Sequence, residues 1–384
     1  MAKRILILIL AALLPLGCLN AKDIADHAYV LALGAERGDT FVYRIVLLVA
    51  LPQSGGEENA EMKTQVLTAE ARTIPEAVET LNASLPLSLT FSRTSLLVLS
   101  EPLARDGRLD ALLDFSDGAL DLYRDVRLLV SRSDLSELFA GLRSETDPSF
   151  SKTVTNLETL AERSGTLSDV RYRTAKEALG SGTFDLLIPY CGVNQPDPKQ
   201  DLIGGEPYPY LGGSLALDGA SPVTIMGSAA FSAGSMVGTL SGRHTQLCRM
   251  ADGSFSEGRM QWLHPEYGTV SVRLRKRRGP KICYDPAETT VALFLTAKIE
   301  SPRLAEDDAG EFAAWLSEEL SQELDRTLSA LQKNGSDAMG FGRKDRLRDP
   351  FGTDWNHERW METYRTLPVV FSASVRLSKN GGGA

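Results

Sequence analysis

Apolar and polar positions first organise between residues 29 and 51, where "YVLALGAERGDTFVYRIVLLVAL" sets two apolar runs around a Gly/Asp turn and Pro52 closes the second. This pattern predicts a β-hairpin. The polar stretch 53–63 ("QSGGEENAEMK") reads as a surface loop. Pro75, tolerated in a first helical turn, then opens "PEAVETLNASL", whose Ala77, Val78 and Leu81 share one helical face. Beyond it, "TSLLVLS" (94–100) predicts a strand, "GRLDALLDFSDGAL" (107–120) a helix and "DVRLLVS" (125–131) a strand. "SDLSELFAGL" (133–142) predicts a short helix with Ser133 or Asp134 as N-cap. Strands alternating with helices describe an α/β or α+β arrangement.

The periodicity fades from about residue 180, and 191–214 ("CGVNQPDPKQDLIGGEPYPYLGGS") is rich in Pro and Gly, the texture of a linker or long loop. Short strands follow at 223–242, 269–282 and 290–300. A helix is expected over 308–333, with Phe312, Leu316, Leu320, Leu324, Leu328 and Leu331 on one stripe, and "PVVFSASVRLS" closes the chain as a strand. The expected division is an N-terminal α/β domain over 18–190, the linker 191–214 and a C-terminal α+β domain over 215–381. That last part divides further into a middle β subdomain (215–300) and a helix-plus-strand part (301–381).

Composition narrows the class. Of 384 residues, 43% are hydrophobic and 24% charged, enough to bury ordinary cores, and the net charge of −9 argues against a nucleic-acid surface. The first residues change the picture more. Lys3 and Arg4 precede the apolar run Ile5 to Leu14, too short to span a bilayer as a helix, and "PLGC" follows. This reads as a secretory signal over 1–17, with Cys18 in a bacterial lipobox: the thiol is acylated and Cys18 becomes the new N-terminus. Pro15 departs from the leucine usual in such a motif, and a plain secreted protein is the alternative. Cys191, Cys248 and Cys283 are read as buried free thiols, since none stands in a CxxC pair.

Candidate chemistry is sparse. "LQKNGSDAMGFGRK" (331–344) has the glycine spacing of a P-loop, but Phe341 stands where the phosphate-binding lysine belongs. As a dinucleotide fingerprint it fails at Asp345. Helix termination at Asn334 and Gly335, with Lys333 complementing the dipole, is the better reading. His27, His244, His264 and His357 form no metal-binding spacing, and "GGSLA" (212–216) is an incomplete nucleophile elbow. The run "RLRKRRGPK" (273–281) puts Arg273 and Arg275 on one strand face, with Val272 and Leu274 on the other. A solvated sheet surface is the first reading of that run; contact with anionic headgroups is the alternative.

Several strings together carry a resemblance. "DIADHAYVLALGAERGD" behind Cys18, "FSRTSLLVLSEPLARDG" (91–107), "GSAAFSAGSMVGTLSG", and the ordered set Leu331, Gln332, Asp337, Gly340, Phe341, Gly342, Trp355, Trp360 and the closing strand to Gly381 are similar to the Ger(x)C family. These proteins are the lipoprotein C subunits of spore germinant receptors. The chain departs from the pattern at Leu19 and Asn20 (usually Trp-Asp), at Arg93 (often His) and at His244 (near a frequent Glu). The resemblance implies an α+β fold of several small mixed domains with mainly antiparallel sheets and flanking helices. It implies attachment through acylated Cys18 to the outer face of the spore inner membrane, beside integral A-type and transporter-like B-type subunits. It brings no catalytic residue, cofactor or metal. The leading expectation is a non-enzymatic receptor subunit required for germination in response to nutrients. An extracytoplasmic solute-binding lipoprotein is the alternative, and a lipid-anchored hydrolase is the third.

Overall fold

The computed structural model describes residues 27–51, 63–119, 125–142, 150–195, 202–205, 210–215, 217, 222–302, 308–348, 350 and 355–378. Cys18 and the signal-like segment lie outside them. The expected hairpin is formed by β1 (His27–Arg37) and β2 (Tyr43–Leu51), antiparallel with Leu33 opposite Leu47. β3 (Lys63–Ala71) adds to β2. α1 (Ile74–Ala83) follows, with Pro75 in its first turn and Thr73 as N-cap.

Four strands then meet in parallel: β1, β5 (Leu96–Ser100), β6 (Arg127–Ser131) and β7 (Leu187–Val193), with the short β4 (Ser88–Thr90) beside β1. The antiparallel hairpin β8 (Val223–Ser232) and β9 (Ser235–Leu240) completes the order β3-β2-β1-β5-β6-β7-β8-β9. Both faces of this sheet are covered. Leu33, Ile45, Leu47 and Val49 join a core with α1, α2 (Glu101–Arg105), α3 (Leu109–Ala119) and α6 (Tyr172–Ser181). Ala32, Val46 and Leu48 face α4 (Leu135–Leu142) on the other side. Double burial explains why "YRIVLLVAL" is almost continuously apolar. The α4 N-cap is Asp134, whose Oδ1 accepts the Ser136 and Glu137 N–H groups; Ser133 instead accepts the Val193 N–H.

The second sheet has four strands: β10 (Glu257–His264), β11 (Gly268–Cys283), β12 (Thr289–Ser301) and β13 (Val369–Leu377). One face is covered by α8 (Ala309–Asn334), whose expected stripe from Phe312 to Leu331 is buried. At about 1.5–3 kcal/mol for each buried side chain of this kind, that stripe is a major source of cohesion for the half. The opposite face is open, so Val272 and Leu274 are buried while Arg273 and Arg275 are exposed. Antiparallel pairing dominates overall, and the chain is a mixed fold of two helix-covered sheets.

Between the sheets runs α7 (Gly242–Asp252), in which every residue from Gly242 to Ala251 is buried. Its polar side chains are satisfied on both sides. The Arg249 guanidinium donates to the Ala161 carbonyl (2.6 Å) and to that of Leu167, at the end of and just beyond α5 (Phe150–Ser164). Gln246 Nε2 donates to the Ser164 carbonyl at 2.5 Å. On the other side, Arg243 Nε and Nη2 fork onto Glu323 of α8 at 3.1 and 2.5 Å, and Trp262 Nε1 donates to the same carboxylate at 3.1 Å.

Two expectations are corrected. The linker expected over 191–214 begins inside β7, where Cys191 is wholly buried, and Leu202, Ile203 and Leu211 beyond it are buried too. β8 and β9, expected to open the C-terminal half, instead extend the first sheet. The apolar residues among the prolines and glycines pack against strands, which a compositional reading cannot register. Of the three cysteines, Cys191 and Cys248 are buried and unbridged, but Cys283 is exposed because it ends β11 on the open face.

Candidate functional site

The stretch 331–344 does its work through Asp337. α8 stops at Gly335, whose backbone is left-handed (φ 69°, ψ 42°) and whose N–H returns to the Gln332 carbonyl, as the sequence predicted. The next residues turn inward, leaving Ser336 and Asp337 with no exposed surface. A second left-handed glycine, Gly340 (φ 75°), redirects the chain into α9 (Phe341–Arg348). The Asp337 carboxylate accepts three donors: the Phe341 N–H (2.9 Å), the Gly342 N–H (2.6 Å) and Trp360 Nε1 (3.0 Å) of α10 (His357–Tyr364). A Cβ on Gly342 would lie 2.7 Å from the Thr183 carbonyl oxygen and 2.8 Å from Trp360 Nε1, so no side chain fits there.

The loop also reaches the first sheet. Asp185, two residues before β7, accepts the Asp337 N–H through Oδ2 (2.8 Å), and through Oδ1 the Ala233 N–H (3.1 Å) of the β8–β9 turn. His357 Nε2 sits 3.1 Å from that same Oδ1. The Asp185 N–H donates to the Asp337 carbonyl (3.2 Å) and the Ser336 hydroxyl to the Phe231 carbonyl (2.7 Å); the Tyr364 hydroxyl bonds the Ser336 carbonyl (2.8 Å). The Asp337 loop is therefore a latch between the two halves.

Burial, reinforced by nearby Asp185, pushes the Asp337 carboxyl up to about 7 against the pull of its three donors. The bond to Asp185 holds His357 above its ordinary value. Both groups favour protonation in the folded state more than in the unfolded chain. Their contributions are complete below the unfolded values, about 3.9 for Asp and 6.5 for His, and are lost as pH rises through the folded ones. The urea midpoint is thus expected to fall between pH 5 and pH 8, and Asp337→Asn should remove the part contributed by the carboxyl. A parent midpoint independent of pH over this range would contradict the assignment.

The latch is arranged for holding, because the Asp337 oxygens face fixed N–H groups and the side chain meets no solvent. A cavity of about 110 Å³ adjoins it, lined by Phe184, Asp185, Phe231 and His357 among others. A larger one of about 590 Å³ lies between α5, β8 and the β10–β11 edge, floored by Leu167, Ile225 and Met226. Several of its polar groups already have partners: Arg259 and Arg273 share Glu300, and the Thr224 hydroxyl serves Gly213 and Asn194.

Of the residues singled out in the sequence, Asp337, Gly340, Phe341, Gly342 and Trp360 come together, while Cys18 lies outside the described residues. His244 is buried against Ser241, and burial followed by the Arg243 charge pushes its imidazole down to about 4. Ser214 of "GGSLA" is buried and donates to the Leu211 carbonyl. Among the described residues, no group of three or more His, Cys, Asp or Glu is placed to hold a metal ion. Sequence reasoning missed Asp185 and the role of His357, which lie 152 and 172 residues from their partners and leave no local pattern.

Comparison with known proteins bears on this arrangement. Residues 20–193 match the family model described as the spore germination protein N-terminal domain, and residues 226–381 match the model of the spore germination B3/GerAC-like C-terminal domain. Spore germination protein KC of Bacillus subtilis (strain 168) is 23% identical over 192 residues, which are 48% of this chain and 47% of that protein's length. The crystal structure of the GerBC protein shares the fold with a TM-score of 0.52 at 14% identity, over 90% of this chain and 96% of that one. The two family matches flank only the segment 194–225; Asp185 falls within the first, and Asp337 with its donors and His357 within the second. The chain belongs to the Ger(x)C family of spore germination proteins.

Proposed function

We propose that this chain is a lipid-anchored subunit of a nutrient germinant receptor, required for the spore's response to small-molecule germinants and acting by contact rather than catalysis. The observation that carries this is the pairing of family matches over both halves with a fold in which buried polar groups such as Asp185, Asp337 and Arg249 join those halves. The anchor would be an acyl group on Cys18, two residues ahead of the first family match. It would hold the protein on the outer face of the spore inner membrane. Among the described residues no helix is long and apolar enough to cross a membrane, so partners that span it would be separate chains, an A-type and a transporter-like B-type subunit. Attachment by acyl chains, at about 0.8 kcal/mol per buried methylene, is stable once two or more chains insert.

Cys18→Ala in the full chain, expressed in a sporulating host, is expected to lose palmitate labelling, to leave the spore membrane fraction and to slow nutrient-triggered germination. A variant that stays membrane-bound and germinates at the parental rate would sink this reading.

A further inference from the structure

The basic run of β11 divides in the structure. Arg273 and Arg275 on the open face of the second sheet are answered by Glu300 and Glu257, and Arg259 by Glu300. Lys276 donates to the Gly253 carbonyl. Arg277, Arg278, Lys281 and Arg376 further along the same face, and Lys298 opposite Arg273, are exposed and have no carboxylate partner among the described residues. Strand register gathers them: Lys281 is opposite Ala292, Arg278 opposite Phe294 and Arg376 opposite Thr296. The Arg278 guanidinium lies 3.5 Å from the centre of the Phe294 ring and that of Arg277 5.8 Å away, so the one aromatic side chain here is roofed by cations. The Arg277 guanidinium is pushed down by desolvation and by the neighbouring Arg376 and Arg278 charges, a sign of how closely the cations crowd.

We propose that this open face is a docking surface for anionic phospholipid headgroups, contacted by Arg277, Arg278, Lys281, Lys298 and Arg376. In a chain of net charge −9, five uncompensated cations on one sheet face are complementary to a negative surface. Protein interfaces have an apolar, aromatic centre depleted of charge; here Phe294, at the centre of the cluster, is covered by cations, and the exposed Leu263 and Val370 stand apart from it, at the far end of β10 and beside Thr290, which favours lipid over an acidic protein. The proposal rests on the membrane-anchored reading above, adding that the second sheet lies against the bilayer.

The test uses the full chain carrying Cys18→Ala, so that no acyl group contributes, with phosphatidylcholine vesicles made with and without phosphatidylglycerol. The apolar run near the N-terminus binds both kinds, so the readout is the preference for the anionic ones. At low salt the preference is expected to drop on the order of a hundredfold in Arg277→Gln/Arg278→Gln/Arg376→Gln, from about fivefold per cation near the surface. Arg108→Gln/Arg173→Gln/Arg359→Gln, the same charge change on exposed residues elsewhere, should leave most of it. Equal thermal melting of both triples would show that the fold is intact. A preference that survives the first triple, or falls equally in both, overturns the proposal. So does a parent with no preference, and if the first triple then fails to retain integral membrane proteins on co-purification, the face belongs to an acidic protein. Palmitate labelling of Cys18 is scored separately, so failure here leaves the anchor untouched.

Discussion

Asp337→Ala is expected to destabilise the protein by about 3–5 kcal/mol, because it strands three buried N–H donors, each costing about 1–3 kcal/mol when unpaired. The donors are the Phe341 and Gly342 amides and the Trp360 indole, on two helices that the carboxylate ties together. Asp337→Asn keeps the shape and one acceptor oxygen, so its loss should be about 1–3 kcal/mol. Because the Asp337 backbone N–H still reaches Asp185, the damage should centre on α9 and α10 and spare the first sheet. Urea unfolding gives the size of the effect. Hydrogen exchange at Phe341 and Gly342 gives its place, with protection lost there first. An Asp337→Ala protein within 1 kcal/mol of the parent, on the scale of a single ordinary hydrogen bond, would refute the latch.

Glu323→Ala is expected to cost about as much for a different reason. Arg243 and Glu323 are 7% and 5% exposed, and the guanidinium has the Glu323 carboxylate and the Gln261 carbonyl as neighbours. Removing one member of such a pair leaves an uncompensated buried charge, at about 3–5 kcal/mol. Trp262 reports the event independently, since its indole N–H donates to Glu323 and the Arg243 guanidinium lies 4.6 Å from its ring centre. Its fluorescence should shift in Glu323→Ala, with Trp262→Phe identifying the signal. An unchanged unfolding midpoint would show that the pair adds nothing net.

Strongly patterned elements were legible in the sequence. The hairpin of β1 and β2, the Pro75 helix, α8 with its stripe and Gly335 cap, and the alternation of Arg273 and Arg275 against Val272 and Leu274 stand where the spacing put them. What escaped shares a physical cause. α7 is buried all round yet reads "GRHTQLCRMAD", because its arginines and glutamine find partners in other elements, and periodicity detects only faces that sort by polarity. β7 was hidden beneath Pro189 and Gly192. In the site, the helix stop and the family glycines were visible. The reason for them was not, since the Asp337 carboxylate answers the Trp360 indole 23 residues away and its backbone answers Asp185, just before β7 in the other half.

The family models part between residues 193 and 226, yet the first sheet is completed only by β8 and β9, within the second match, and α7 immediately behind them spends its polar groups on both halves. This bears on how such proteins diversify. A second half borrowed from a distant relative would bring Arg243 and Glu323 together, but it would have to fit β8 and β9 onto a foreign sheet edge and set Arg249 against the Ala161 and Leu167 carbonyls of a foreign first half. Exchange of halves therefore carries a cost at this seam that substitution on an exposed surface, such as the open sheet face, does not.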